Sequence, residues 1–368
     1  MMGEGKKINR MIVLVLISLL QMGVSAILLH FLSMENWSPI YAEDSEGYLL
    51  ATRHFLGVEI LPSSLPLLKY RLFSPVVPFI ASLLAQFIPL EYTFLVLNIC
   101  FWLLSVCLFY QFSKNLLSEQ LAYYCALLFI TSLPLIVWGL PIMVDMASFF
   151  FAVLNCLLIT RLLSAKRAKY LIIGLTLPLA ILTKPNLVSL LLFFILYAVS
   201  QKQYLRILPV VFITLIMIGA VYLCLGLGLK DFLTYSYLRH QGLFYVLNAL
   251  VFCFHWGFPL AAWGFWLEKS KRKFYLTYLI STFGCYLIFV HNPRLIFIIY
   301  PAVIPLVLRG IEAFAYRLAN RWHQEPERTI TALVISYVLT SNILTIAYLF
   351  ITRVFQYRSV ESLKHLLG

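Results

Sequence analysis

Long apolar runs separated by short polar segments dominate this chain. The first run covers residues 11–32, and further helix candidates follow at 92–113, 119–138, 142–163, 169–183, 186–200, 206–226, 244–267, 274–291, 294–310 and 328–352. Apolar runs of this length are typical of bilayer-spanning helices, whereas a β-barrel would show alternation. We therefore predict an all-α polytopic membrane protein with about 11 transmembrane helices, forming a single integral membrane domain over residues 1–368.

The segment 33–90 departs from this pattern. Its polar part, 33–72, is followed by the short apolar run 73–90, which contains Pro75, Pro78 and Pro89. Three prolines in a short run make a poor full span. We expect 73–90 to lie along the outer surface or to dip into the bilayer and return. The remaining helices then occupy 92–352, and 353–368 forms a short outer tail.

Composition and charge fit a membrane protein. Hydrophobic residues make up 62% of the chain and charged residues only 12%, against about 25% charged in average soluble domains. The net charge of +13 fits basic cytoplasmic loops better than a nucleic-acid partner, and we predict no nucleic-acid binding. The run 11–32 is too long for a signal-peptide core and no small-residue cleavage site follows it, so we interpret it as a membrane helix.

The basic residues also suggest an orientation. A cytoplasmic amino end and an outer carboxyl end place most of the 28 Lys and Arg residues inside. The reversed orientation places equally many basic residues on the cytoplasmic side. However, a basic tail beside the first helix usually orients that helix with the tail inside. This choice places eight candidate functional residues on the outer face. They are Glu43, Asp44, Lys69, Arg71, Asp145, Lys184, Arg239 and Arg294.

Three of the eight are acidic. Glu43 and Asp44 directly precede the amphipathic run 46–56, and Asp145 lies in an apolar setting at the predicted start of a helix. A carboxylate at a membrane interface can accept a proton from an attacking hydroxyl, and ionisable groups at membrane depth are functional candidates. The alternatives are a solvated loop or N-cap role for Glu43 and Asp44, and a dipole or cap role for Asp145.

The five basic candidates point to an anionic ligand. Lys184 and Arg294 lie beside prolines suited to open a helix, where a bound phosphate would offset the unfavourable helix dipole. Lys69, Arg71 and Arg239 can contact a lipid phosphate or only anionic headgroups. The alternative for Lys184 is a carbonyl cap, and for Arg294 it is a structural partner of Asp145 or another acid.

Taken in order, these motifs resemble the GT-C glycosyltransferases, in particular the branch with the protein O-mannosyltransferases and the aminoarabinose transferases of lipid A. The resemblance covers about residues 11–310. An acidic motif after the first helix is followed by a proline-bearing surface segment, an acid at a later helix start, a lysine–proline step and a late arginine. These are AEDSEGYLLATRHF, YRLFSPVVPFIASLL, VDMASFF, LAILTKPNLVSLL and NPRLIFIIYPAVIPL.

The resemblance implies an inverting sugar transfer from a polyprenyl-phosphate donor to an acceptor hydroxyl. Asp44 or Glu43 would be the base and Asp145 a second acid. Lys69, Arg71, Lys184 and Arg294 would be candidates for holding the phosphate. The acidic pair reads Glu-Asp where the family commonly has Asp-Glu, so the acting residue stays open. The sequence shows no carboxyl-terminal soluble domain, so we expect loops to recognise the acceptor. No ligand cluster demands a metal, although a divalent ion stays compatible.

Two functional hypotheses follow, and a non-catalytic assembly partner, which would tolerate the loss of both Glu43 and Asp44, is a third possibility. The first is a glycosyltransferase of hexoses or pentoses, with a polyprenyl-phosphate sugar, membrane lipids and a glycan, lipid or protein acceptor as partners. We expect it in a prokaryotic inner membrane, with the active site on the extracytoplasmic side. The second is a transporter or flippase for a lipid-linked sugar or another anion. Transporters usually carry paired repeats and charges near the bilayer midplane, whereas most charges here lie near predicted helix ends.

Overall fold

The computed structural model describes residues 9–32, 44–163, 167–228, 230–231, 250–251, 253–288 and 297–367. Within these ranges every regular element is a helix, which confirms the predicted all-α fold. The α-helices in chain order are α1 (Arg10–Leu32), α2 (Ser45–Phe55), α3 (Leu65–Leu72), α4 (Val76–Leu84), α5 (Leu90–Ser113), α6 (Glu119–Ile130), α7 (Leu133–Trp138), α8 (Asp145–Leu162), α9 (Leu171–Thr183), α10 (Val188–Ser200), α11 (Ile207–Cys224), α12 (Gly257–Leu267), α13 (Arg272–Ile288), α14 (Tyr300–Trp322) and α15 (Pro326–Leu367).

Six helices of the described residues are long and apolar enough to cross a membrane. They are α1, α5, α8 and α11, together with α14 and the first part of α15. Shorter apolar helices accompany them, and the total of 11 spans stays a prediction. The proline-bearing segment contains α4, which meets the preceding helical stretch Pro62–Leu72 at 112°. A bend of this size fits either a broken span or a re-entrant loop, so its path through the bilayer also stays a prediction.

Three predicted helix boundaries were wrong. The candidate 328–352 is one of them, because α15 continues to Leu367, through residues that we expected in a short tail. The candidate 119–138 is divided, because α6 ends at Ile130 and α7 begins only at Leu133, with Pro134 in its first turn. Proline is tolerated at that position but lacks the N–H that a continuous helix needs. The candidate 294–310 extends to Trp322. The polar residues of its final turns predict a loop after residue 310. In the structure these turns are helical, because they bury an apolar stripe at helical spacing. That stripe is Ile311, Ala315 and Ala319.

Helices α12 and α14 pack with their backbones in close approach. A Cβ atom on Gly264 would lie 2.1 Å from the carbonyl oxygen of Leu306, and one on Gly310 would lie 2.1 Å from that of Leu260. Only glycine fits at either position without displacing backbone atoms. This close pair forms one wall of the main apolar core, in which Phe129 stacks on Phe149 with ring centroids 4.2 Å apart.

The bundle has two ends, which α8 connects. Its first residue is Asp145, and its last turn carries Arg161, which donates a 3.0 Å hydrogen bond to Asn115 in the turn after α5. We name these the Asp145 end and the Asn115 end. Arg309 in α14 reaches the carbonyl oxygen of Leu116 at 3.4 Å and therefore belongs to the Asn115 end. The candidate site lies at the Asp145 end.

Candidate active site

Asp44 lies immediately before α2 and forms an ion pair with Arg71 of α3. The Nη2 atom of Arg71 donates to Oδ1 of Asp44. Asp44 occupies the N-cap position of α2, but its side chain makes no capping hydrogen bond. The capping alternative for this carboxylate therefore finds no support, and its described partner is a cation from the next helix.

Helix α2 is fastened to the segment that leads into α8. The hydroxyl of Ser45 donates a 3.1 Å hydrogen bond to the carbonyl oxygen of Ile142. Beside this bond, Tyr48 belongs to a buried apolar cluster that includes Val144 and Ala147. Asp44 directly precedes Ser45, and Asp145 lies between Val144 and Ala147. The two acids predicted to cooperate therefore lie at the same end of the bundle.

The buried amide of Asn98 holds the same segment from the other side. Its Nδ2 atom donates to the carbonyl oxygens of Leu140, at 3.2 Å, and Pro141, at 2.6 Å. An irregular stretch buried against apolar helices needs partners for its backbone carbonyls. Asn98 supplies them, so this residue of α5 fixes the stretch that ends at Asp145.

Asp145 and Lys184 form a second ion pair. The Nζ atom of Lys184 donates to Oδ1 of Asp145, and the two side chains are 13% and 2% exposed. Lys184 stands in extended backbone between α9 and the short helix Pro185–Leu187 that leads into α10. Its side chain reaches across to α8, so a carbonyl-cap role for that side chain finds no support. The Oδ2 atom of Asp145 is buried and accepts no hydrogen bond from the described residues.

A third ion pair joins α3 to the segment after α11. The Nζ atom of Lys69 lies 3.0 Å from Oδ1 of Asp231, whose Oδ2 accepts a 3.0 Å bond from the backbone N–H of Gly228. That backbone bond, and after it the Lys69 ammonium, hold the pKa of Asp231 below its ordinary value. The Tyr222 hydroxyl of α11 donates a 3.2 Å hydrogen bond to the carbonyl oxygen of Phe73, which follows α3, and so adds a second contact between these two parts of the chain.

The described candidates thus meet as pairs of opposite charge. Arg71, Lys69 and Lys184 were all predicted to hold a phosphate, and each is in contact with a carboxylate. Glu43, Arg239 and Arg294 lie outside the described residues. A cation that donates a charge-assisted hydrogen bond to a carboxylate fixes the direction of that carboxylate. The arrangement can therefore present two oriented carboxylates at one end of the bundle, with Lys184 and Lys69 as the more accessible cations.

No group of three or more His, Cys, Asp or Glu side chains within the described ranges is placed to hold a metal ion.

Sequence reasoning missed the residues that hold the acids in place. Neither Ser45 nor Tyr48 has a role predicted from the sequence, although Tyr48 lies in the amphipathic run 46–56. Asn98 carried a usable signal, because it is a lone amide inside the apolar run LVLNICFW. A buried amide must find hydrogen-bond partners, which marks such a position for attention, although the partner segment cannot be read from the run itself.

Comparison with known proteins gives a likeness at the level of the fold. No family model and no curated protein matches the sequence. Solved structures do match. ArnT from Cupriavidus metallidurans bound to undecaprenyl phosphate superposes with a TM-score of 0.63 and 13% sequence identity, covering 93% of this chain and 75% of that one.

A second match is the oligosaccharyltransferase of Archaeoglobus fulgidus, tethered with an acceptor peptide containing the NVT sequon. Its TM-score is 0.59 at 15% identity, covering 94% of this chain and 55% of that one. The present chain therefore spans about half the length of the oligosaccharyltransferase. At such identities the likeness shows the fold, and it confirms the GT-C-like helical bundle expected from the sequence.

Proposed function

We propose that this protein is a membrane glycosyltransferase that moves a sugar from a polyprenyl-phosphate-linked donor to an acceptor hydroxyl. The observation that carries the proposal is the placement of Asp44 and Asp145 at one end of a GT-C-like bundle, each paired with a cation. The two structural neighbours support it, since one holds undecaprenyl phosphate and the other an acceptor peptide. The donor sugar is a hexose or a pentose.

The proposed reaction is a single displacement. Asp44 takes the proton of the acceptor hydroxyl, and the acceptor oxygen attacks the anomeric carbon of the sugar. The bond from that carbon to the phosphate oxygen breaks, its electron pair stays on the oxygen, and polyprenyl phosphate departs. Attack opposite to the leaving group inverts the anomeric centre. A positioned base of this kind contributes about 10²–10⁴-fold to the rate.

The other groups have complementary roles in this proposal. Asp145 holds a sugar or acceptor hydroxyl through its Oδ2 atom. That atom is buried and accepts no hydrogen bond from the described residues. Negative charge collects on the departing phosphate, so a nearby cation stabilises the transition state more than the ground state. Lys184 and Lys69 are the described candidates, and Arg294 and Arg239 are candidates from the sequence. We place this site on the extracytoplasmic face of a prokaryotic inner membrane.

The test is a transfer assay with purified protein in liposomes. Labelled polyprenyl-phosphate hexoses and pentoses are offered with glycan, lipid and protein acceptors, and covalent products are identified by mass spectrometry. We expect transfer by the wild type and a loss of about 10²–10⁴-fold in Asp44→Asn. Glu46→Gln is the matched control, because Glu46 is an exposed acid on α2.

Two results would contradict this proposal. Equal transfer by the wild type and Asp44→Asn would remove the assigned base. Movement of labelled donor across the liposome membrane without any covalent product would favour the transporter instead. Melting temperatures of the variants show whether a loss of transfer reflects a loss of folded protein.

A further inference from the structure

Arg71 is enclosed by aromatic rings on two sides. Its guanidinium carbon lies 4.6 Å from the ring centre of Tyr48 and 4.6 Å from that of Tyr70. Its Nη1 atom also lies 3.3 Å from the Tyr48 hydroxyl, while Nη2 donates to Asp44. Aromatic faces attract a cation, so the rings hold the guanidinium plane in place and leave its edge directed at the carboxylate.

One face of the first helical turns is built around this arginine. Asp44, Gly47 and Tyr48 stand at spacings i, i+3 and i+4, which share a helix face. A Cβ atom at Gly47 would lie 2.8 Å from Nε and 2.9 Å from Cγ of Arg71. Glycine at this position is therefore what lets the arginine lie flat against α2.

Exposure separates the two partners. The side chain of Arg71 is 5% exposed, and that of Asp44 is 19% exposed. A ligand entering this end of the bundle therefore meets the carboxylate before the guanidinium. Lys69, two residues earlier on α3, has a side chain that is 44% exposed and is better placed to meet a phosphate.

We propose that Arg71 is a positioning residue for Asp44 and not a ligand of the donor phosphate. It fixes the direction of the carboxylate and balances its charge in a largely enclosed place, so that Asp44 is oriented to take the acceptor proton. The clamp formed by Tyr48, Tyr70 and Gly47 holds Arg71 in that role. This inference rests on the proposed function, because it assigns a partner to the proposed base.

The test separates positioning from phosphate binding by steady-state kinetics. We expect Arg71→Met to lower kcat by about 10²-fold, the scale of a misplaced catalytic group, with the KM for the donor unchanged. Arg71→Lys should restore part of kcat, because it returns the charge without the planar fork. In an Asp44→Asn background Arg71→Met should cost nothing further, since the two residues act as one unit. Arg53→Met is the control, because Arg53 is an exposed arginine of α2.

A second variant disturbs the clamp without changing a charge. Gly47→Ala should lower kcat, because the added methyl group displaces Arg71 from its place against α2. Gly23→Ala in α1 is the matched control, since a Cβ atom there would meet nothing within 4 Å. Both are compared per amount of folded protein, using melting temperature and elution volume.

Binding of undecaprenyl phosphate, measured by native mass spectrometry, completes the experiment. If Arg71→Met weakens that binding, raises the KM for the donor and stays additive with Asp44→Asn, Arg71 is a phosphate ligand and the inference is overturned while the proposed function stands. If the wild type transfers no sugar, the proposed function fails. The Asp44–Arg71 pairing is then tested by unfolding alone, where additive losses in the double variant would overturn it too.

Discussion

The two ends of the bundle carry ion pairs of different character. At the Asp145 end, Arg71 with Asp44 and Lys184 with Asp145 are largely enclosed, the four side chains being 2–19% exposed. Each cation belongs to a different segment of the chain from its acid: Arg71 lies in α3, and Lys184 lies between α9 and α10. Enclosing charges in this way costs desolvation that the attraction barely offsets, so these pairs add little stability to the fold.

At the Asn115 end the charges are more open. Arg309 is 31% exposed and contacts Glu268 at 3.4 Å and Glu312 at 2.9 Å. Arg328 and Glu325 are 82% and 69% exposed and are three residues apart in the sequence. The Arg328–Glu325 pair is solvated and weak, whereas the Glu268 side chain is only 6% exposed. Among the described ion pairs, those with both partners less than 20% exposed are the two at the Asp145 end, where the chemistry is proposed.

The largest effect should come from breaking an enclosed pair. Lys184→Met leaves the Asp145 carboxylate without its cation, and we expect the free energy of unfolding to fall by about 3–5 kcal/mol. The matched change at the other end, Arg328→Met, should cost at most about 1 kcal/mol. Denaturant titration in micelles measures both. Similar losses of unfolding free energy at the two ends would contradict the difference between them. Partial recovery of stability in Asp145→Asn/Lys184→Met would show that the cost comes from the unpaired Asp145 carboxylate.

A smaller effect should come from the close contact of α12 with α14. Gly264→Ala places a methyl group on the carbonyl oxygen of Leu306, and overpacking of this kind costs about 1–3 kcal/mol. We expect lower stability with unchanged kcat per folded molecule, because the contact involves none of the three ion pairs of the Asp145 end. Gly284→Ala is the control, since its Cβ atom would meet nothing within 4 Å. A loss of kcat at full stability would contradict this division between the ends.

The smallest effect concerns acid sensitivity at the Asn115 end. Burial alone would raise the pKa of Glu268, but bonds from the backbone N–H of Lys271 and from Ser270, with the charge of Arg309, hold it below its ordinary value. A lowered carboxyl pKa stabilises the fold above the unfolded value, about 4.3 for Glu, and this stabilisation is lost as the pH falls through the folded value. Melting temperatures between neutral and acidic pH should fall less steeply in Glu268→Gln. An unchanged slope would show that Glu268 does not contribute.

Much of the fold could be predicted because lipid exposure leaves a strong signal. The candidates 11–32 and 92–113 lie within two residues of α1 and α5. The errors came where the signal is composite. The end of α14 is amphipathic, so its polar residues also fit a loop. The gap between α6 and α7 lies beside a proline, and proline is tolerated at a helix start.

The candidate site was less predictable, because ion pairing depends on how helices face one another. The sequence marked Asp44, Arg71, Asp145 and Lys184 as unusual charges in apolar surroundings. The sequence does not show which acid pairs with which cation, because the partners depend on how each helix is rotated about its axis. The sequence groups Arg71 with the phosphate-binding candidates, because a cation before a surface segment fits a lipid phosphate or anionic headgroups equally well, and this role stays a prediction. The aromatic clamp around it depends on contacts between α2 and α3 that no run of residues encodes alone.

The two helices that meet at Lys184 are short. Each contains 13 residues, about 20 Å of helix, whereas the hydrocarbon layer is about 30 Å thick. If both helices enter the bilayer, their shortness predicts that the junction at Lys184 lies beneath the headgroup plane and that the bilayer thins locally around it. A lipid phosphate drawn towards Lys184 would sink below those of its neighbours, and lipid chain length would then tune turnover by setting the depth of that descent.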